Sequence, residues 1–294
     1  MHITVFTPTY NRATLLSETY KSLCMQSSKN FTWIVIDDGS TDETKAKIEK
    51  WKGENFINIV YFFQANQGKH IAFNKAISLA EGELCICLDS DELLVPKAIE
   101  YITEFWLSNN KSLYAGIIAS KANKNGELIG STLPHEKKTS VYNLYNRLGV
   151  EGDKIMVFNT DIVQKYSFPK ISGEKFVTEA YLYDKIDQNN VWITMDKVLC
   201  ITDYYPDGYT ANASKILFEN PKGFAEYYKN RIGIEHTLQK QYLSTVRYIN
   251  CCFIAKEKKI IKNSPKRILA IVAFPAAILF FLYKTYNIQE KRSS

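Results

Sequence analysis

Closely spaced acidic residues follow two short apolar runs of the sequence. Asp89-Ser90-Asp91 comes after the run 84–88, and Asp37-Asp38 comes after the run 33–36. If the chain stays extended, alternate side chains point the same way, so Asp89 and Asp91 lie close together. Two carboxylates suit a hard divalent cation, Mg²⁺ or Mn²⁺, which keeps several waters and is completed by substrate phosphates. The spacing therefore predicts a metal diphosphate site, although acidic pairs in this position are also typical of solvated turns and helix caps.

The second acidic group can bind a ligand or cap a helix. A carboxylate of Asp37 or Asp38 can accept hydrogen bonds from a base N–H or from ribose hydroxyls. Ser40 or Thr41 can cap the helix that follows. A capped turn accounts for the segment 39–42 without a ligand, but it accounts less readily for two adjacent carboxylates.

The elements that must position these residues follow from the hydrophobic pattern. Over the first hundred residues, short β-rich runs alternate with helical patterns, which is typical of βαβ units around a mainly parallel sheet. The predicted strands are 3–7, 33–36, 57–63 and 84–88, and the predicted helices are 13–25, 42–51 and 70–80. Because ligands collect at the carboxyl ends of parallel strands, we expect both acidic groups and the segment 7–12 at one edge of the sheet.

The pattern is less regular after residue 110. Strands are predicted at 113–119 and 155–158, a helix at 174–188, an extended segment at 192–205 and helical structure over 215–259. The division that follows has four parts: 1–110 as the first half of the α/β domain, 111–215 as its second half, 216–263 as a helical extension and 264–294 as an apolar, basic-flanked tail.

Several site classes have no support in the sequence. Neither G-x-G-x-x-G nor G-x-x-x-x-G-K-[ST] occurs, which disfavours dinucleotide oxidoreductases and P-loop enzymes. The six cysteines form no CxxC pair and no zinc spacing. Because no signal-peptide pattern opens the chain, we expect reduced thiols and a cytoplasmic protein.

Positive charge is concentrated at the C-terminal end. The 294-residue chain has a net charge of +6, and 46% of its residues are hydrophobic, which is enough for a buried core. From residue 256 onward, nine basic residues stand against two acidic ones, so this end carries +7 and the rest of the chain −1. A body near neutrality shows no basic face, and nucleic acid is therefore not an expected partner.

An uncharged apolar run, 268–283, lies within this basic end. It is flanked by Lys266, Arg267 and Lys284. As a helix it would reach roughly 24 Å, which is short of the bilayer hydrocarbon core of about 30 Å. We therefore expect a re-entrant or interfacial membrane anchor, and the alternative is a C-terminal helix packed on the body or in a dimer.

Five segments occur in a characteristic order over residues 1–100. They are Thr7-Pro8-Thr9-Tyr10-Asn11-Arg12, Asp37-Asp38-Gly39-Ser40-Thr41-Asp42, Asn66-Gln67-Gly68-Lys69 with Ala72, Asn74 and Ala76, Ala80-Glu81-Gly82-Glu83, and Leu88-Asp89-Ser90-Asp91-Glu92. In this order they resemble the family 2 glycosyltransferases, which have the GT-A fold, a Rossmann-like α/β fold with a mainly parallel sheet flanked by helices.

The resemblance implies a nucleotide-sugar donor, more readily a UDP-sugar than a GDP-sugar. It implies that Tyr10 and Asp38 lie near the base, Asp89 near the ribose, and Asp91 on a Mg²⁺ or Mn²⁺ ion that bridges the diphosphate. Further residues expected at the donor are Thr7, Pro8, Arg12, Lys69 and Ser90, of which Arg12 and Lys69 would add positive charge.

Inverting members of this family use a carboxylate as general base, commonly within Glu-Asp-x-x-Leu at a helix start. Thr178-Glu179-Ala180-Tyr181-Leu182 matches this frame, so the resemblance implies Glu179 as the base, while Thr178 departs from the motif. Glu174 is the reserve candidate. The alternative for Glu179 is a surface acid on an amphipathic helix. The aromatic segment 204–210 resembles a loop over the sugar site of related sequences.

The function implied is transfer of a sugar to a hydroxyl of a saccharide or polyprenyl-linked precursor of cell-surface polysaccharide. The C-terminal tail would attach the enzyme peripherally to the inner face of the cell membrane, since its basic flanks suit an anionic leaflet. Two alternatives remain: a nucleotidyltransferase, whose usual Gly-rich basic loop is missing from 7–12, and a catalytically silent nucleotide-sugar-binding membrane protein.

Overall fold

The structure is a computed structural model that describes residues 1–109, 114–134, 137–203 and 212–293, with side chains up to residue 283. The chain divides into two units. The first comprises Met1–Phe168 and Ile186–Tyr205, and the second comprises Pro169–Lys185 and Pro206–Ser294.

Strands and helices alternate at the start of the first unit, as the sequence predicts. In chain order they are β1 (Ile3–Thr9), α1 (Ala13–Cys24), β2 (Phe31–Asp37), α2 (Thr44–Glu54), β3 (Asn58–Phe63), α3 (Lys69–Leu79) and β4 (Leu84–Cys87). Every predicted element in this region is confirmed, with ends that differ by up to three residues.

Shorter elements complete the first unit. They are β5 (Leu93–Leu94), α4 (Ala98–Ser108), β6 (Tyr114–Ala122), β7 (Lys138–Thr139), α5 (Val141–Asn146), β8 (Lys154–Asn159), α6 (Thr160–Val163), α7 (Ala180–Asp187), which continues from the second unit, and β9 (Val191–Ile201). The predicted aromatic loop 204–210 lies outside the described residues.

The strands form one mixed sheet with the order β3-β2-β1-β4-β8-β6-β9-β5, and β7 pairs with β9. Pairing is parallel among β3, β2, β1 and β4 and antiparallel from β4 to β8 and from β8 to β6. In the parallel part Thr9 is level with Asp37, and Phe6 is level with Cys87. The carboxyl ends of β1, β2 and β4 therefore meet at one edge, as predicted.

The parallel part of the sheet is packed around buried apolar and aromatic side chains. All seven residues of β1 are buried, as expected for a strand that is covered on both faces. The ring of Tyr20 stacks on Trp51 with centroids 4.4 Å apart, and Trp33 lies 6.1 Å from both rings. The indole N–H of Trp33 donates to the Thr7 hydroxyl across 2.9 Å, so a buried polar group is satisfied where β1 meets β2.

The second unit is helical in its C-terminal part. Its helices are α8 (Ala213–Glu219), α9 (Pro221–Ile234), α10 (Leu238–Ile254), α11 (Ile260–Asn263) and α12 (Arg267–Ser293). These helices bear out the helical pattern predicted over 215–259. No helix in the described residues is long and apolar enough to cross a membrane.

The helix predicted over 174–188 is correct only from residue 180. The segment before it makes non-helical contacts instead. Both carboxylate oxygens of Glu174 accept hydrogen bonds from the first amides of α9, those of Lys222 and Gly223, at 2.9 and 2.8 Å. The amide of Lys175 donates to the side chain of Asn220 across 2.9 Å. These bonds compete with a helical path, and hydrophobic periodicity does not reveal them.

Candidate active site

Asp89 and Asp91 lie just beyond β4 on the edge where the parallel strands end. The turn that carries them is fixed from α1, because the hydroxyl of Thr19 donates to the carbonyls of Ser90 and Glu92 at 3.1 and 3.0 Å. The amide of Leu88 donates to the carbonyl of Phe6 across 2.9 Å and holds the turn against β1. The structure thus brings the predicted carboxylate pair to the predicted edge.

Two cations from other elements bind this carboxylate pair. Lys69, at the start of α3, places its Nζ 2.6 Å from the Oδ2 of Asp89. Arg12, which precedes α1, places its Nη1 3.0 Å from the Oδ2 of Asp91. Burial opposes ionisation of Asp89, but Lys69 and Lys121 outweigh it and lower its pKa. Residues that are separate in sequence therefore share one charged site.

The residues at this site fit a divalent cation. Burial and the negative charge of Asp89 raise the pKa of Asp91, although Arg12 acts in the opposite direction. A cation beside Asp91 would relieve this repulsion, and both carboxylates are hard oxygen donors. Within the described ranges, no group of three or more His, Cys, Asp or Glu side chains is arranged to hold a metal. A bound ion would therefore depend on one or two carboxylates and on substrate phosphates.

Asp38 anchors the segment that leads into α3. Its Oδ1 accepts from the Gln64 side-chain amide at 2.7 Å and from the Gln67 backbone amide at 2.9 Å. Its Oδ2 accepts from the amide of Gly68 at 2.7 Å. Gly68 has a φ of 93°, which favours glycine at this position. Asp38 thereby fixes the backbone from which Lys69 reaches Asp89.

Asp37 and Asp42 stabilise the neighbouring turn. Asp37 accepts from the amide of Ser40 at 2.7 Å and from the hydroxyl of Tyr61 at 2.8 Å. Asp42 accepts from the first amide of α1, Ala13, at 3.0 Å, and from the first amide of α2, Thr44, at 3.1 Å. The turn is therefore capped, but by Asp42. The cap predicted at Ser40 or Thr41 is corrected, because α2 begins only at Thr44 and the Ser40 hydroxyl accepts from the amide of Asn11 instead.

A buried ion pair, which the sequence analysis does not predict, also holds the turn that carries Asp89 and Asp91. The Nζ of Lys121, on β6, lies 2.6 Å from Oε1 of Glu92 and 2.6 Å from the carboxylate of Asp153. The other oxygen of Glu92 accepts from the amide of Asp89 at 3.3 Å. Although burial lowers the pKa of Lys121, the two carboxylates outweigh it and raise the pKa. The available signal was a lysine inside the apolar strand 114–122.

The remaining residues predicted at the donor lie in different surroundings. Tyr10 is 49% exposed and follows the end of β1. Pro8 and Ser90 are buried near this edge. Thr7 is fully buried and its hydroxyl accepts from Trp33, which places its side chain in the core. The expectation that Thr7 contacts the donor stays a prediction, while its side chain is used inside the sheet.

Glu179 and Glu174 both belong to the second unit. The carboxylate of Glu179, which precedes α7, accepts a hydrogen bond from the hydroxyl of Tyr183 at 3.2 Å. Its assignment as general base stays a prediction. Glu174 caps the N-terminus of α9 with both oxygens, which gives this reserve candidate a structural role.

Residues 4–167 match the family described as Glycosyl transferase family 2, and this range covers more than half of the chain. The chain belongs to this family. The resemblance found in the first hundred residues is thereby confirmed. Curated relatives with 33 to 36% identity match over 110 to 129 residues, and the chain spans only 21 to 34% of their length.

A longer match supports the same family membership. A protein of Campylobacter jejuni, named GalNAc(5)-diNAcBac-PP-undecaprenol beta-1,3-glucosyltransferase, is 24% identical over 230 residues, which are 77% of this chain and 73% of that protein.

Solved structures confirm the GT-A fold. The structure of S. aureus TarS 1-349 in complex with UDP-GlcNAc matches with a TM-score of 0.64 and 18% identity, covering 91% of this chain and 83% of that one. The mannosyltransferase PcManGT from Pyrobaculum calidifontis, in complex with GDP-Man and Mn²⁺, matches with a TM-score of 0.57 and 19% identity, covering 98% and 82%.

Proposed function

We propose that this member of family 2 is an inverting glycosyltransferase that uses a nucleoside diphosphate sugar, in particular a UDP-sugar. The observation that carries the proposal is the meeting of Asp89, Asp91, Lys69 and Arg12 at one sheet edge. The UDP-GlcNAc complex of TarS supports UDP as the nucleotide in this fold. The acceptor would be a hydroxyl of a saccharide or lipid-linked precursor, as the name of the Campylobacter relative suggests.

The donor site supplies charge in a form that suits a diphosphate. Asp91, with Asp89 beside it, would hold Mg²⁺ or Mn²⁺. When bound, such an ion neutralises charge on the leaving diphosphate. Arg12 and Lys69 offer further positive charge at the same edge, and guanidinium groups suit phosphate oxygens. The exposed ring of Tyr10 suits a nucleobase face, and Asp38 fixes the segment from which Lys69 extends.

The transfer step needs a base for the acceptor hydroxyl. The bond between the sugar anomeric carbon and the diphosphate oxygen breaks, and a bond from that carbon to the acceptor oxygen forms on the opposite face. The hydroxyl proton passes to a carboxylate, for which we keep Glu179. Because Glu174 caps α9, Glu179 is preferred to it.

Attachment to the inner face of the cell membrane through α12 forms part of the proposal. Ala270, Ala273 and Ala277 are buried within the second unit, whereas larger aliphatic residues of the same helix are exposed, among them Ile268, Ile271, Val272, Ile278, Leu279 and Leu282. Lys266 and Arg267 flank this apolar surface. Exposed aliphatic side chains beside basic ones suit an anionic bilayer, where a lipid-linked acceptor would lie.

The test is product formation by the full chain. Purified protein is incubated with UDP-glucose or UDP-GlcNAc, Mn²⁺ and a lipid-linked saccharide acceptor, and released UDP and lipid-extracted sugar are measured. We expect turnover that is removed by EDTA and falls at least about a hundredfold in Asp91→Ala. A matched control is Asp161→Ala, an acid on α6 outside the site. Donor binding with no turnover on any acceptor or water would instead support the catalytically silent alternative.

A further inference from the structure

A cavity of about 310 Å³ lies within the helical part of the second unit, remote in sequence from the donor-site residues. Its lining residues come from α8, α9, α10 and α12: Leu217, Tyr228, Arg247, Asn250, Cys251 and Phe280. Cationic and polar groups therefore share one cavity with apolar and aromatic groups. Such a mixture suits a ligand that has a charged end and an apolar end.

The cationic group in this cavity is Arg247, which has no acidic partner among the side chains that the structure describes. Over the described residues, no carboxylate lies within ion-pair distance of the Arg247 guanidinium, which packs 5.9 Å from the ring centroid of Tyr228. Arg231 of the same unit differs, because it binds Asp184 at 2.9 Å and Glu235 at 3.2 Å. The charge of Arg247 is thus available to an anion.

A second group in the cavity lacks a hydrogen-bond partner. Asn250 is only 2% exposed, and its buried Nδ2 donates to no acceptor in the described structure. Burial raises the pKa of Tyr228, so its hydroxyl remains a neutral donor despite the opposing effect of Arg247. An unsatisfied buried donor is costly, and an acceptor oxygen of a ligand would remove this cost.

Apolar side chains line the rest of the cavity. Leu217 of α8 and Phe280 of α12 are among the lining residues, and Tyr283, which lies three residues beyond Phe280 on the same side of α12, is 65% exposed. A hydrocarbon chain that leaves the cavity past Phe280 would therefore reach the exposed ring of Tyr283. The required ligand is therefore an anion with several acceptor oxygens that is joined to a hydrocarbon chain.

We propose that this cavity binds the phosphate end of a lipid, with Arg247 and Asn250 on the phosphate oxygens and Leu217 and Phe280 beside the hydrocarbon chain. Guanidinium groups match the oxygen geometry of phosphate, which favours phosphate among lipid anions. The site rests on the proposed function and deepens it, because a lipid-linked acceptor carries both a phosphate and a long hydrocarbon chain.

The test is calorimetric titration of the full chain with dodecyl phosphate below its critical micelle concentration. Inorganic phosphate and dodecyl maltoside are the comparison ligands, which offer the anion or the chain alone. We expect dodecyl phosphate to bind at least about tenfold more tightly than either. Arg247→Gln should weaken it about tenfold, since it removes a charge-assisted hydrogen bond. Lys240→Gln removes the same charge from α10 at a residue that does not line the cavity, and it should change binding less than twofold.

The outcomes separate this inference from the proposed function. Equal dodecyl phosphate binding by Arg247→Gln and the wild type would overturn the inference, as would inorganic phosphate that binds as tightly as dodecyl phosphate. UDP affinity and thermal unfolding are measured on the same samples, and both should be unchanged in Arg247→Gln. Failure of the wild type to bind UDP would count against the proposed function. The lipid site would still be tested by the comparison of Arg247→Gln with the wild type in the dodecyl phosphate titration.

Discussion

Three carboxylates at the candidate donor site are each bound by a cation, and one of the cations, Lys121, also binds Asp153. Arg12 binds Asp91, Lys69 binds Asp89, and Lys121 binds Glu92, with nitrogen to oxygen distances of 3.0, 2.6 and 2.6 Å. The first two pairs are partly exposed, whereas the third is almost fully buried. Water and ligands can therefore compete for the first two pairs. The third pair is shielded from water and holds the turn that carries Asp89 and Asp91 in the folded protein.

Breaking the buried pair on one side should destabilise the fold. Lys121→Met leaves the buried carboxyl of Glu92 without its partner. Because burial already raises the pKa of Glu92, the variant must either bury an unpaired charge or protonate this group, and we expect the free energy of unfolding to fall by about 3–5 kcal/mol. The double variant Lys121→Met/Glu92→Gln removes both charges and should regain a large part of this loss. Urea unfolding of the wild type, both single variants and the double variant measures the effect. Additive losses in the double variant, or single losses below about 1 kcal/mol, would contradict the expected coupling.

Among the secondary-structure elements, the parallel half of the sheet can be predicted from the sequence. The antiparallel strands and the long-range contacts that hold this half in place cannot. Alternating β-rich and helical patterns predicted β1 to β4 and the edge where Asp89 and Asp91 lie, because local periodicity determines these features. The antiparallel contacts of β8 and the salt bridge from β6 depend on long-range pairing. The segment before α7 was predicted as helix since nothing local indicates that Glu174 caps α9. The core position of Thr7 likewise depends on its partner Trp33.

The turn between β2 and α2 depends on the ionised carboxylate of Asp42. Burial opposes ionisation of Asp42, but hydrogen bonds from Thr44 and Ala13 outweigh it and lower its pKa. Asp42→Ala removes an acceptor from the first amides of α1 and α2, so it should cost about 1–2 kcal/mol at pH 7. Asp42→Asn keeps an oxygen acceptor and should cost less. Urea unfolding across pH measures both.

The pH dependence of this effect has a fixed sign. Because the pKa is lower in the folded state, the Asp42 contribution is present above the unfolded value of about 3.9 and is lost as pH falls through the folded value. The stability difference between the wild type and Asp42→Ala should therefore be constant near neutrality and shrink below about pH 4. A difference that does not change between pH 7 and acid pH would contradict the assigned role of the carboxylate.

On the scale of the whole molecule, the two units present different chemistry. The first carries the sheet edge with its paired charges. The second carries α12, in which Ala270, Ala273 and Ala277 are buried and the larger aliphatic residues are exposed. The apolar run of α12 and its basic flanks can be read directly from the sequence. The sequence did not predict which face of the helix would be buried, because this depends on packing within the second unit.

Membrane attachment should depend on the exposed residues of α12. Ile271→Gln/Leu279→Gln changes two side chains that are 58% and 68% exposed, so the buried alanines keep their packing. We expect recovery with anionic vesicles in a flotation assay to fall about tenfold or more, since each lost aliphatic insertion costs on the order of 1 kcal/mol or more. Phe56→Gln/Leu107→Gln removes two exposed apolar residues of the first unit and serves as the control. Equal recovery of both double variants and the wild type would reject this mode of attachment.

The most direct test of the donor site is calorimetric titration of UDP into the full chain with Mn²⁺ or with EDTA. The wild type should bind UDP about tenfold or more tightly with Mn²⁺, because Asp91 would hold an ion that neutralises charge on the diphosphate. Asp91→Asn should lose this difference and retain the weak binding seen with EDTA. If the wild type binds UDP with the same affinity in Mn²⁺ and in EDTA, or Asp91→Asn keeps the full Mn²⁺ effect, then this sheet edge is not a metal diphosphate site.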